Sequence, residues 1–213
     1  MKGLFLDNFY KTIDGMKMLL FTLFLIGAII IGFVENQLIV QAYIFIIFSS
    51  ISLFSLASIR KDGDTRWNKY EITLPVKRKT IIKCKYLSFI FWIFIALIMA
   101  AVFTVIVVIM KGDKYFDFGM RDILTLFYIA IALVIQMSSF YFVGLYSLGF
   151  EKSDIMVILS LIIAIGFTVL SVGILNVANV GIETGRTILL VASIFLFGLS
   201  YNITNLLYSK SEF

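Results

Sequence analysis

The residues of this chain with chemistry to offer are crowded into one stretch, Arg60 to Leu87, RKDGDTRWNKYEITLPVKRKTIIKCKYL. It holds nine of the 18 basic residues: Arg60, Lys61, Arg66, Lys69, Lys77, Arg78, Lys79, Lys83 and Lys85. It also holds the acids Asp62, Asp64 and Glu71, the single proline, Pro75, and the single cysteine, Cys84. Trp67 and Tyr70 stand among these charges. Such a mixture suits binding: the cations attract anionic lipid, and Trp and Tyr are typical anchors of protein interfaces. It does not suit catalysis. The chain has no histidine, which removes the commonest general base and the commonest side-chain metal ligand, and with them His-dependent triads and HExxH zinc sites. One cysteine excludes an intrachain disulfide. No GxxxxGK[ST] run is present, so the chain has no phosphate loop for a nucleotide.

A second polar group, Gln136-Met137-Ser138-Ser139, lies in the middle of an apolar run. An amide in hydrocarbon needs a partner, which is either another helix or a passing substrate. Gln136, Ser138 and Ser139 are therefore candidates for a substrate path, with helix-to-helix hydrogen bonding as the competing use. Ser49, Ser50, Ser52, Ser55 and Ser58 crowd another apolar run, where small hydroxyl residues favour close helix packing. A serine nucleophile without histidine would need a lysine at membrane depth, and none is there.

The elements that carry these groups are set by hydrophobicity. Of 213 residues, 61% are hydrophobic and 15% charged, and the mean hydropathy is +1.04. A soluble domain of this length cannot hide so much apolar surface. Six apolar segments approach or exceed the roughly 20 residues that cross a bilayer: 16–34, 38–59, 86–110, 122–148, 155–175 and 187–208. The predicted fold is all-α, a polytopic membrane protein with one domain over 1–213. Residues 1–15 are too polar to span, and Phe5, Leu6, Phe9 and Ile13 share a helical face, which predicts an amphipathic helix in the membrane interface. The fourth segment is long enough to require tilt, a break or an interfacial end.

Six spans put both termini on one side. That side collects 14 basic residues: Lys2, Lys11, Lys17, the nine in the central loop, Lys152 and Lys210. The other has 4: Lys111, Lys114, Arg121 and Arg186. The excess places the termini and the 60–85 loop in the cytoplasm. No Asp, Glu, Lys or Arg lies in the interior of a predicted span, although ion-driven transporters generally need an ionisable group or an equivalent ion site there. A transporter without its own energy source needs a partner, and the loop is where it would dock.

Within the loop, Asp64 or Thr65 can cap a new helix, and Pro75 ends it. Trp67, Tyr70, Glu71 and Leu74 then fall within one arc of about 100°. This predicts a docking helix over Asp64 to Leu74, followed by a basic entry into the third span from which Lys77, Arg78, Lys79, Lys83 and Lys85 snorkel to lipid phosphates. The run Trp67-x-x-Tyr70-Glu71-x-x-Leu74-Pro75-Val76-x-Arg78-Lys79-x-Ile81-x-x-x-Lys85-Tyr86 resembles the cytoplasmic loop of ABC-2-type permeases. Within that group the chain looks like the small six-span bacterial permeases that export amphipathic peptide toxins, such as phenol-soluble modulins, or confer self-protection against peptide antibiotics. The resemblance covers nearly the whole chain; Lys77 stands where a serine is frequent.

The resemblance implies a coupling helix that seats Trp67, Tyr70 and Leu74 in a groove of a separate ABC ATPase, with Glu71 and Arg78 in polar contacts. It implies a second permease copy, identical or paralogous, a bacterial cell membrane, and an amphipathic peptide as cargo. ATP and Mg would be bound by the ATPase; this chain is expected to hold no cofactor or metal, to have no enzymatic site and to bind no nucleic acid. The alternatives are an ABC-2 permease for another lipophilic substrate, a membrane regulatory or sensor module that transports nothing, or an autonomous channel.

Overall fold

The computed structural model describes residues 2–34, 36–64, 67–71, 73, 76–112 and 119–210. Its helices are α1 (Lys2–Phe33), α2 (Gln37–Asp64), α3 (Trp67–Glu71), α4 (Arg78–Lys111), α5 (Met120–Leu148), α6 (Ser153–Val177) and α7 (Ile182–Lys210), with a 3-10 turn over Phe150–Lys152. Among the described residues there is no strand. Six of the helices are long and apolar enough to cross a membrane, so the chain is an all-α polytopic protein.

Two boundaries differ from the sequence expectation. The residues expected to form a separate helix over 1–15 are helical from Lys2 and make the first part of one unbroken helix, α1. Only Gly15 weakens the junction, and one glycine costs a helix about 1 kcal/mol. That cost is offset by packing: a Cβ at Gly15 would overlap the Phe54 ring of α2. Nearby, Thr12 donates to Ser58 Oγ at 2.9 Å.

The second difference concerns the 60–85 loop, which is helical at both ends. α2 continues to Asp64, so Asp64 is the last residue of that helix. α4 begins at Arg78, eight residues before the predicted third span. With 34 residues, α4 is about 51 Å long, against a hydrocarbon core of roughly 30 Å. Its first turns therefore reach beyond the hydrocarbon, yet they are packed: Ile81, Ile82, Cys84, Lys85 and Tyr86 are buried.

α1, α2 and α4 pack together, as do α5, α6 and α7, and the two groups meet chiefly through α2 with α5 and α4 with α7. Phe48, Ile51, Ile82, Phe89, Tyr141 and Phe142 fill the centre. One end of the bundle gathers the short helix α3, the start of α4 and the end of α7. There the Arg78 guanidinium donates to the carbonyls of Tyr208 at 3.3 Å and Ser209 at 3.2 Å. Such carbonyls lack partners within their own helix and carry its negative end, so they favour a cation.

Candidate functional site

α3 projects two aromatic side chains from the bundle end. The rings of Trp67 and Tyr70 lie 5.1 Å apart, as expected for residues one helical turn from each other. Their environments differ. Tyr70 is 56% exposed. Trp67 is half-buried, with the Lys11 ammonium 4.5 Å from its ring centre. Lys11 is itself paired with Asp7 at 2.7 Å. The start of α1 thus holds Trp67 from one side, and Tyr70 is presented outward. Leu74 and Pro75 lie outside the described residues, as do Thr65, Arg66 and Ile72.

Glu71 does not share the outward face. Its side chain is 2% exposed and its Oε2 lies 3.1 Å from Lys85 Nζ, which is equally buried. The prediction of Glu71 in a polar contact beside Trp67 and Tyr70 is thus replaced, in this conformation, by an internal ion pair. Lys85 likewise does not snorkel to lipid; it turns inward to Glu71 and sits 5.5 Å from the Phe150 ring centre. Lys77, Arg78, Lys79 and Lys83 do remain exposed, although Arg78 also bonds the α7 end. A buried ion pair is costly to desolvate, and removing one partner costs about 3–5 kcal/mol.

The inward turn of Lys85 was readable. Ile81, Lys85, Ser88, Phe89 and Trp92 recur at spacings of three and four, and all are buried, so Lys85 sits in the register of an apolar stripe. The neighbouring lysines masked that signal. Lys11 was missed for another reason: its contact with Trp67 joins residues 56 positions apart, and no local pattern encodes it.

The candidate path residues also lie inside the packed bundle. Gln136 on α5 is wholly buried. Its amide nitrogen donates to Ser193 Oγ of α7 at 2.8 Å, and its carbonyl oxygen accepts from Thr168 Oγ1 of α6 at 2.8 Å. Ser138 and Ser139 donate to the Ile135 carbonyl at 2.8 and 2.7 Å. The structure therefore brings Gln136 into a three-helix junction and gives both serines to their own helix. Of the two uses open to Gln136, helix bonding and substrate contact, the geometry supplies the former.

Open apolar space lies elsewhere. A cavity of about 450 Å³ is walled by α1, α2 and α4, including Leu23, Gly27, Tyr43, Val102, Phe103 and Ile106. Its one prominent polar group, the Tyr43 hydroxyl, is bonded to the Leu23 carbonyl. The cavity lies on the half of the bundle away from α3 and is suited to apolar matter. Among the described residues no cluster of His, Cys, Asp or Glu could hold a metal ion.

Six apolar spans, with a short aromatic helix between the second and third, define a multi-pass membrane protein. The family described as ABC-2 family transporter protein matches residues 3–209, and the chain belongs to that family. It is a multi-pass transport component, and family membership implies an ABC ATPase as its partner. No curated protein and no solved structure matches it.

Proposed function

We propose that this chain is the permease half of an exporter for amphipathic peptides, powered by a separate ATPase that docks on α3 from the cytoplasm. The observation that carries the docking is Tyr70, 56% exposed on a helix of five described residues between two spans. A large aromatic side chain held out at a bundle end is a ready interface anchor. Trp67 supports it from behind, and Leu74 extends the same arc in the sequence. The exposed Lys77, Arg78, Lys79 and Lys83 agree with a cytoplasmic, anionic-lipid face.

The peptide cargo is supported by the chemistry of the wall. The cavity of α1, α2 and α4 is almost wholly apolar, which accommodates the apolar face of an amphipathic helix while its polar face stays hydrated. The same wall favours a second occupant, a lipid-like molecule. Two permease copies complete the pathway, since six spans are half of such an assembly.

The test is co-purification in detergent with the candidate ATPase, followed by reconstitution of both into vesicles. Wild type is expected to bind, and Trp67→Ala/Leu74→Ala to insert normally but lose binding. ATP should drive movement of a cationic amphipathic helical peptide across the vesicle membrane. Unchanged binding in the double variant would remove docking through α3. No transport across a peptide panel, with transport of a labelled phospholipid, would assign the lipid-like cargo instead.

A further inference from the structure

We propose that the Glu71–Lys85 pair is the joint that fixes α3 to α4, so that a load applied at α3 is delivered to the third span. The assignment rests on α3 being the ATPase contact, and the two can fail separately. Three observations carry it. First, the pair joins the two helices across a link that includes Pro75, and both side chains are 2% exposed at 3.1 Å. A surface ion pair would be screened by water and salt; this one is shielded from both. Second, the backbone of α3 packs mainly against α2. This side-chain pair bonds α3 to α4.

Third, Lys85 stands where α4 is tied to the rest of the bundle. Its ammonium lies over the Phe150 ring, in the turn between α5 and α6. The next residue, Tyr86, bonds across to α7 through Ser200 and Thr204 at 2.8 and 3.0 Å. A displacement of Lys85 is therefore felt at α4, at the α5–α6 turn and, one residue on, at α7. Glu71 and Lys85 are positioning residues; neither touches nucleotide or cargo.

The first arm uses the permease alone in lipid nanodiscs, in a Cys84→Ala background, with a nitroxide at Tyr70→Cys. The label's mobile fraction should at least double in Glu71→Gln and in Lys85→Met, and return to the starting value in the swapped pair Glu71→Lys/Lys85→Glu. Because single variants strand a buried charge and can unfold, Glu71→Leu/Lys85→Met is included. It removes both charges and keeps apolar bulk, so it should fold while α3 stays loose. An unchanged spectrum in the single variants, or restoration by the apolar pair, would overturn the joint, because burial alone would then position α3.

The second arm adds the ATPase and moves the label to the exposed site Lys83→Cys on α4. ATP with vanadate should shift the spectrum in the otherwise wild-type protein. In Glu71→Leu/Lys85→Met the ATPase should still bind while the shift is lost. Binding with an undiminished shift would overturn the joint and leave docking intact. No binding by the otherwise wild-type protein would defeat docking through α3, while the first arm still decides whether the pair positions it.

Discussion

The hydroxyl oxygens of Tyr86 on α4 and Ser200 on α7 lie 2.8 Å apart in the interior of the bundle. Ser200 in turn donates to the Ser139 carbonyl of α5 at 2.9 Å. One consistent proton arrangement follows: Ser200 gives its hydrogen to α5, Tyr86 gives its own to Ser200, and Thr204 donates to Tyr86. Three helices are thus joined by a short hydroxyl chain. Beside it the Tyr86 ring stacks on Phe142 at 4.2 Å. Lipid offers no hydrophobic drive between helices, so bonds and close contacts of this kind specify which helix meets which.

Tyr86→Phe should keep the stack and lose the bonds. Hydrogen bonds between membrane helices average about 0.6 kcal/mol and reach about 1.7, so a loss near 1 kcal/mol is expected. That lowers the thermal midpoint in detergent by roughly 2–4 °C for a chain of this size. Intrinsic fluorescence during heating would show it. No shift would mean that packing alone holds α4 to α7.

Gln136→Met separates packing from cargo contact. Ser193 and Thr168 retain carbonyl acceptors at Leu189 and Ala164, at 2.7 and 2.8 Å, so the variant strands neither hydroxyl. Two helix-to-helix bonds go, and stability should fall by about 1–2 kcal/mol. ATP hydrolysis stimulated by an amphipathic peptide should stay within about twofold of wild type, consistent with ordinary additivity of distant sites. A collapse of that stimulation at unchanged stability would return Gln136 to the cargo path.

How much of this was legible follows from where each signal lived. The spans were readable because hydrophobicity is a local sum, and α5, predicted over 122–148, runs Met120–Leu148. α4 extends eight residues ahead of the span predicted from 86, and charge alone does not mark those residues as a loop. Arg78, Lys79 and Lys83 are compatible with a helix whose other face, Ile81, Ile82 and Lys85, is buried. The direction of Glu71 turned on a partner 14 residues away across Pro75. A helical wheel assigns an angle, and only the packed partner assigns that angle to protein or to water. The same limit applied to Gln136, whose polarity announced a partner without saying which.

Gly149 joins α5 to the 3-10 turn with φ +90° and ψ 159°, a region that residues with a Cβ rarely enter. Its N–H donates to the Leu145 carbonyl at 3.0 Å. A Cβ there would meet open space, so any cost of Gly149→Ala comes from backbone strain. About 1–3 kcal/mol of destabilisation is expected, read as a lower thermal midpoint. An unchanged midpoint would show that the turn can relax at no cost.

Orientation can be read chemically. In a Cys84→Ala background, Lys83→Cys should react with a membrane-impermeant maleimide in inside-out vesicles and stay unmodified in intact cells. Lys111→Cys, at the opposite end of α4, should show the reverse. The excess of basic residues on the α3 side sets this expectation. The opposite pattern would place α3 outside the cell and remove an intracellular ATPase from its reach.

Tyr70 and Trp67 should differ as docking residues, because only one of them faces out. Tyr70→Ala removes the exposed anchor and its ring contact with Trp67 but leaves the Lys11 ammonium over the Trp67 ring. A loss of about 2 kcal/mol, the scale of an interface hot spot, weakens ATPase binding roughly 30-fold. Trp67→Ala acts on α3 itself, since it deletes the Tyr70 ring contact and the seat of the Lys11 ammonium. Lys11→Met tests that inner side, with loss also of the partly exposed Asp7 pair: cation–π contacts are worth about 0.5–1 kcal/mol at such sites, so binding should weaken only about two- to fivefold. The expected order of damage is Trp67→Ala at least as great as Tyr70→Ala, with both well above Lys11→Met. Affinity measured by surface immobilisation of the detergent-solubilised permease would establish it. If Tyr70→Ala bound as wild type while Trp67→Ala did not, the anchor would be the inner ring, and α3 would have to turn when the ATPase arrives.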